Sequence, residues 1–267
     1  MRLEPGMVAV VTGAASGIGR ALATGLAARG LDLALTDVEA AALDGTVAGL
    51  PGTASVLAAA FDVADPAAVD GFAAAVEARF GRADLVCNIA GVVGPRVPTW
   101  QQRPADWQWI LQVNLIGPAN VLRAFLPMLL ARGSAHVVNV ASIAGLAPIA
   151  GGGNAPYAAS KFAVVGLSET LRVELDAVAP TVGVTVVCPG PVATRIREAE
   201  RNRPVALGGG TPVTPPTFTN AAPSISADDA AAQIVAAVEA DRPYLLTNPE
   251  NAAEVRARHA RVERCLP

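Results

Sequence analysis

The sequence predicts an α/β fold: one parallel, doubly wound sheet of seven strands between two layers of helices. Three observations carry this prediction. Short apolar segments rich in Val, Leu and Ala alternate with amphipathic segments of about a dozen residues or more, the pattern of strands covered on both faces. A glycine-rich turn joins the first strand to the first helix. Of the 267 residues, 52% are hydrophobic and only 16% charged, enough apolar material for a large core.

The elements follow in order. "MVAVVTG" (7–13) reads as a buried strand, and 17–30 as a helix closed by Gly30 just past its end. A strand over 31–37, a helix over 38–50 and a strand over 55–63 come next. Asp65 and Pro66 then open a helix running to Gly81, as cap and first-turn residue. The fourth strand is 83–91. A long helix follows over 104–131, disturbed at Pro118 and Pro127. The fifth strand is 135–142, the next helix 155–178 with Asn154 as its cap, and the last two strands 182–190 and 241–248. His259 sits in a charged tail helix. Residues 191–226 are rich in Pro, Gly and Thr. Too little chain follows for a second core, so we read one domain over 1–267, with 191–226 as a substrate lid carrying a short helix near 194–202.

Composition excludes several function classes. Net charge is −3 with no basic block, so nucleic acid and anionic membranes find no electrostatic footing. No continuous apolar run reaches the roughly 20 residues of a membrane span. The N-terminus reads as a strand start and not as a signal peptide, so a cytoplasmic protein is expected. Cys87, Cys188 and Cys265 are far apart without CxxC spacing, which predicts reduced thiols. His136 and His259 belong to no cluster with metal-ligand spacing, so no metal is expected.

"VVTGAASGIGRAL" places Gly13, Gly17 and Gly19 between strand and helix. Backbone N–H groups and the helix dipole at such a turn favour a pyrophosphate, and glycine lets it approach. This is the Rossmann-type setting of a dinucleotide site. Asp37 ends the second strand, where an acid accepts hydrogen bonds from ribose hydroxyls and repels a 2′-phosphate. No Lys or Arg adjoins it in sequence, so NAD is favoured over NADP. The alternative role for Asp37 is to cap the following helix.

With these residues in place, the chain resembles the short-chain dehydrogenase/reductase family over about 7–194. "TGAASGIG" matches the family's TGxxxGxG turn; "DV" (62–63) matches its adenine contact; "NIAG" (88–91) is similar to NNAG, with Ile89 in place of the second Asn. Asn114 in "LQVNLIG", Ser142 in "NVASIAG", Tyr157 and Lys161 in "YAASK", and "PGPVAT" (189–194) fit the remaining motifs in order. The resemblance implies cofactor contacts at Gly13, Ser16, Gly17, Ile18 and Gly19. It implies further contacts at Asp37 and Val38, at Asp62 and Val63, and at Asn88, Ala90 and Gly91. The last are Tyr157, Lys161, Pro189, Gly190, Val192 and Thr194.

The same resemblance implies hydride transfer between a secondary alcohol or ketone and NAD(H). Tyr157 would be the acid/base, and Lys161, one helical turn on, would lower its pKa and hold the nicotinamide ribose. Ser142 would hold the substrate oxygen. Asn114 would hold a water beside Lys161. Substrate contacts are expected from Ser142, Val93, Ile143, Asn154 and Tyr157, within a wall that also includes Val92, Pro95, Leu146 and Ile149. Most of these are apolar, so a medium or bulky hydrophobic substrate is expected. Ser142 and Tyr157 stand fifteen positions apart, about two more than is common in the family, with the excess assigned to 150–156. A homotetramer or homodimer would form through helices 104–131 and 155–178, with Trp107, Trp109 and Phe162 on outer faces. Two alternatives stay open: an NADPH-preferring carbonyl reductase of the same mechanism, and a non-catalytic NAD-binding sensor or scaffold.

Overall fold

A computed structural model describes residues 1–52, 54–149, 151–209 and 224–267. Its strands are Val8–Thr12 (β1), Asp32–Asp37 (β2), Val56–Ala60 (β3), Leu85–Asn88 (β4), Ala135–Val140 (β5), Val182–Cys188 (β6) and Tyr244–Leu246 (β7). All pair in parallel in the order β3-β2-β1-β4-β5-β6-β7. The order reverses between β1 and β4, and the carboxyl ends of strands at such a switch point open a crevice for ligands. The eight α-helices among the described residues are Gly17–Ala28 (α1), Ala40–Ala48 (α2), Pro66–Phe80 (α3), Pro104–Leu111 (α4), Gly117–Leu130 (α5), Ala155–Val178 (α6), Ala227–Glu239 (α7) and Ala252–Glu263 (α8).

The period-2 alternation of strand side chains divides the core in two. Val8 and Val10 of β1 point to one side, with Val86, Val137, Phe72, Phe125 and Trp109. Ala9 and Val11 point to the other, with Leu22, Leu26, Leu33, Leu35 and Ile234. Local signals end the helices as read from the sequence. Asp65 accepts from Ala67 and Ala68 N–H at the start of α3, with Pro66 at its first position. Gly30 and Gly81 take left-handed φ values of 81° and 67° just beyond α1 and α3.

Three expectations are corrected. The helix expected over 104–131 is disturbed on the approach to Pro118 but continues through Pro127: Gln112–Ile116 forms a π-turn between α4 and α5, with Asn114 at its centre. The whole stretch Pro104–Leu130 spans 27 residues at mean hydropathy 1.4, long and apolar enough to cross a membrane by length and composition alone. Half of its apolar window is buried inside the protein. Asn154 does not cap α6 with its side chain; it adopts a left-handed backbone, φ 59°, and its amide is buried. Trp109 lies in the core at 2% exposure and not on an outer face.

One helix was not anticipated. Alanine-rich α7 is capped by Ser226, which accepts from Asp229 N–H, and it buries Ile234, Val235 and Val238 against the α1 side of the sheet. The lid expected over 191–226 is described in part. Its short helix is a 3-10 segment, Ile196–Asn202, followed by a second, Val205–Leu207; residues 210–223 lie outside the described residues.

Candidate active site

The carboxyl ends of β1, β2, β4, β5 and β6 converge on one cleft. On its floor is the glycine turn. Gly13 has φ 69°, and a β-carbon there would stand 2.8 Å from Ala90 N. A β-carbon on Gly19 would stand 2.0 Å from Gly13 O, and one on Gly17 2.9 Å from Thr194 Cγ2. The turn is closed to side chains and leaves its backbone to a ligand. That is the cradle a dinucleotide pyrophosphate needs, so the residues present fit a nicotinamide cofactor.

Most of the residues named from sequence line this cleft. Gly13, Ser16, Gly17, Ile18 and Gly19 form the floor, and Asp37, Val38, Asp62 and Val63 one end. Ala90, Gly91, Pro189, Gly190, Val192 and Thr194 form the walls toward Ser142, Tyr157 and Lys161. Asp37 is fixed from two sides: Oδ2 accepts from Ala15 N–H at 2.9 Å and Oδ1 from Glu39 N–H at 3.0 Å. It therefore braces the turn that follows β2 as well as facing the cleft.

Other named residues stand behind the wall. Asn88 donates from Nδ2 to Asn139 Oδ1 at 2.9 Å, and Asn139 donates on to Ser168 Oγ at 2.9 Å. This buried relay ties β4, β5 and α6 together, so the Asn88 side chain acts as a strut. Thr12 Oγ1 accepts from Ile89 and Ala90 N–H and so holds the "NIAG" turn against β1. Asn114 uses the π-turn to aim its amide at the strand-four loop. Its Oδ1 accepts from Val92 N–H at 2.8 Å, and its Nδ2 donates to Val92 O and to Ser160 Oγ, both at 3.0 Å. Both amide donors are thereby engaged.

Ser142 accepts from Ala144 N–H at 3.1 Å and contacts the Tyr157 hydroxyl. One turn of α6 separates Tyr157 from Lys161, whose Nζ donates to Val140 O at 2.9 Å and stands 5.7 Å from the Tyr157 ring centroid. The electrostatics differ from expectation. Burial pushes the Tyr157 phenol above its usual pKa, and the Ser142 hydrogen bond only partly offsets this. Burial pulls the Lys161 ammonium down to about 8. Desolvation of the two groups thus outweighs the expected lowering of the Tyr157 pKa by the Lys161 ammonium.

Three expected substrate contacts, Val93, Ile143 and Asn154, do not line this cleft. Val93 packs in the core beside Trp109. Asn154 N–H donates to Val97 O at 3.3 Å, holding the approach to α6 on the loop after β4. That approach is left-handed throughout its described residues, with φ 76°, 69° and 80° at Gly151, Gly152 and Gly153. Arg96 Nε braces it by donating to Gly152 O at 3.2 Å. Sequence reasoning missed Glu39, Phe61, Trp109, Val113, Ile196, Ala199, Arg201 and Asn202, which also line the cleft. The last four come from the 3-10 segment Ile196–Asn202. Their only sequence signal was the short helical pattern near 194–202.

A family model described as short chain dehydrogenase matches residues 7–204. The chain belongs to the short-chain dehydrogenase family. It is 39% identical over 253 residues to 1-deoxy-11-beta-hydroxypentalenate dehydrogenase of Streptomyces avermitilis, covering 94% of this chain and 87% of that one. It is 36% identical over 194 residues to levodione reductase of Leifsonia aquatica, covering 72% and 71%. A crystal structure of a short chain dehydrogenase/reductase from Burkholderia phymatum in complex with NAD superimposes with a TM-score of 0.88 at 37% identity, covering 98% of this chain and 96% of the other. The protein is thus a nicotinamide-dependent oxidoreductase of the family, acting on CH–OH or keto groups of a small molecule.

Proposed function

We propose that this short-chain dehydrogenase interconverts a medium to bulky, hydrophobic secondary alcohol and its ketone with NAD(H), using Tyr157 as acid/base. The observation that carries this reading is the convergence of Ser142, Tyr157 and Lys161 on the same cleft as the glycine turn and Asp37. The nicotinamide, when bound, supplies the hydride acceptor or donor. The chain supplies the rest. Ser142 donates to the substrate oxygen and holds it at the phenol. Tyr157 takes the hydroxyl proton during oxidation and returns it during reduction. Lys161, anchored on Val140 O, keeps a cation beside the phenol and so favours the phenolate as it forms. Asn114 locks the loop that carries Val92, a residue of the cleft wall, onto Ser160 of α6.

The apolar side chains of Val92, Trp109, Val113, Ile196 and Ala199 in the cleft support a hydrophobic substrate. Within a single domain, residues 191–209 serve as its lid, and 210–223 of the expected lid lie outside the described residues. Asp37, held with its carboxylate in the cleft, supports NAD over NADP. Exposed Leu130 on α5, with Val173 and Val178 on α6, supports pairing of these helices in a homodimer or homotetramer. Three free cysteines among the described residues fit a cytoplasmic setting. The test is NADH absorbance during a screen of secondary alcohols and ketones. NAD(H)-dependent turnover of bulky apolar members is expected. Turnover confined to short polar alcohols, or to NADP(H), contradicts the reading.

A further inference from the structure

Asp37 shares its end of the cleft with a second carboxylate. Glu39 opens α2, and the lid reaches it from 162 positions away. Arg201 donates to Glu39 through Nη2 at 2.5 Å and Nε at 3.1 Å, and Asn202 Nδ2 donates at 3.1 Å. Arg195 Nη1 stands 4.0 Å from the same carboxylate. Glu39, Arg195, Arg201 and Asn202 all line the cleft beside Asp37 and Val38. Lid backbone fixes the Arg201 fork, since Nη1 also donates to Arg195 O at 3.2 Å and Glu198 O at 2.9 Å. Arg195 is further held by Glu198 at 3.0 Å. The Arg201 hydrogen bond keeps the Glu39 carboxyl below its ordinary pKa, so it is ionised at neutral pH.

This arrangement bears on the ribose 2′ position. An arginine fork matches phosphate geometry, and Arg195 and Arg201 line the same end of the cleft as Asp37, the acid expected at the ribose hydroxyls. The absence of a basic residue next to Asp37 in sequence is therefore an incomplete account of charge at this end. The cations are present, but a carboxylate holds them. A 2′-phosphate would have to approach both Asp37 and Glu39 and displace Glu39 from Arg201.

We propose that Glu39 is a specificity-determining residue: by occupying Arg201 and Arg195 it keeps the adenosine end selective for a ribose 2′-hydroxyl over a 2′-phosphate. The inference rests on the NAD preference proposed above. Removing the Glu39 charge takes away one repulsion and frees one bidentate guanidinium. One charge-assisted hydrogen bond gained corresponds to a shift in relative affinity of about tenfold or more.

The test uses two probe nucleotides, 5′-AMP and 2′,5′-ADP, titrated calorimetrically into wild type, Glu39→Gln, Glu39→Ala and Glu39→Gln/Arg201→Gln. The readout is the ratio of the two affinities, which a general loss of binding or folding does not mimic. Wild type is expected to favour 5′-AMP. Both single variants should move the ratio about tenfold or more toward 2′,5′-ADP, an effect that shrinks with added salt, and Arg201→Gln should reverse it. If wild type favours 5′-AMP and neither single variant moves the ratio, the role of Glu39 is overturned while the NAD preference stands. If the ratio moves but Arg201→Gln does not reverse it, the masking of Arg201 is overturned. If wild type already favours 2′,5′-ADP, the NAD preference fails, and the masking role fails with it.

Discussion

Arg203→Met tests whether the lid is bolted to the rest of the site. The Arg203 side chain is fully buried, as is that of its partner Asp106 on α4, 2.8 Å away. The guanidinium also meets both oxygens of Glu200 at 2.7 Å, donates to Leu207 O at 3.3 Å and lies 4.4 Å over the ring of Trp109. Trp109 lines the cleft, so this one side chain joins the lid, α4 and the pocket wall. Breaking a buried ion pair from one side costs about 3–5 kcal/mol. Asp106 keeps Arg103 through three hydrogen bonds, from its guanidinium at 2.8 and 3.1 Å and its backbone N–H at 2.9 Å, which argues for the lower end, about 3 kcal/mol. The lost stacking on Trp109 adds about 1 kcal/mol. A total near 4 kcal/mol corresponds to a fall in melting temperature of about 10 °C for a chain of this size. Methionine retains the length and packing of the stem, so a cavity contributes little. The assay is thermal denaturation of the two proteins side by side at pH 7. Arg203→Lys should recover little, because an ammonium cannot bridge Asp106 and Glu200 while stacking on the indole. Melting of Arg203→Met within about 2 °C of wild type would refute the reasoning, since it corresponds to less than about 1 kcal/mol.

Three further outcomes are expected. Gly19→Ala puts a methyl 2.0 Å from Gly13 O, so the turn must open, and NADH affinity measured by fluorescence should fall about tenfold or more; unchanged binding would show that the turn does not hold the nucleotide. His136 is buried with its pKa pulled down to about 4, chiefly by burial. Its neutral form favours the fold above the unfolded pKa near 6.5, and that contribution, about 3 kcal/mol, is lost as pH falls from about 6.5 to 4. Urea titrations should therefore show a shallower acid loss of stability in His136→Asn than in wild type; equal slopes count against the assignment. The raised Tyr157 pKa means that the phenolate fraction grows with pH, so alcohol oxidation should rise into the alkaline range while ketone reduction falls there. Oxidation that is flat across neutral and alkaline pH contradicts this.

The parts of the fold governed by local rules were legible. Strand and helix alternation located all seven strands, and Asp65–Pro66, Gly30 and Gly81 marked helix ends because each acts within one turn. The glycine turn and the Tyr157–Lys161 pair were legible for the same reason, since their spacing alone puts them on one turn or one helix face. What the sequence hid depends on distant partners. The π-turn at Gln112–Ile116 lies where Pro118 signals a disturbance, but its form is set by Asn114 reaching Val92 and Ser160. Helix α7 carries a helical period in Ile234, Val235 and Val238, but it directly follows a Pro- and Thr-rich stretch that reads as loop. Arg201 and Glu39, far apart in sequence, meet only because the segment Ile196–Asn202 folds back to the start of α2. The Tyr157 electrostatics were misjudged because sequence spacing reports the nearby ammonium and not the burial of both groups.

The central claim is that Tyr157 carries the proton for hydride transfer in this cleft. Tyr157→Phe removes one hydroxyl oxygen and leaves Lys161 on Val140 and the glycine turn in place. The decisive measurement is kcat of this variant on a substrate found with wild type, alongside its NADH affinity by fluorescence. A fall in kcat of about 10²–10⁴ is expected, with NADH binding largely retained. A kcat within a few-fold of wild type, with NADH bound normally, would contradict it.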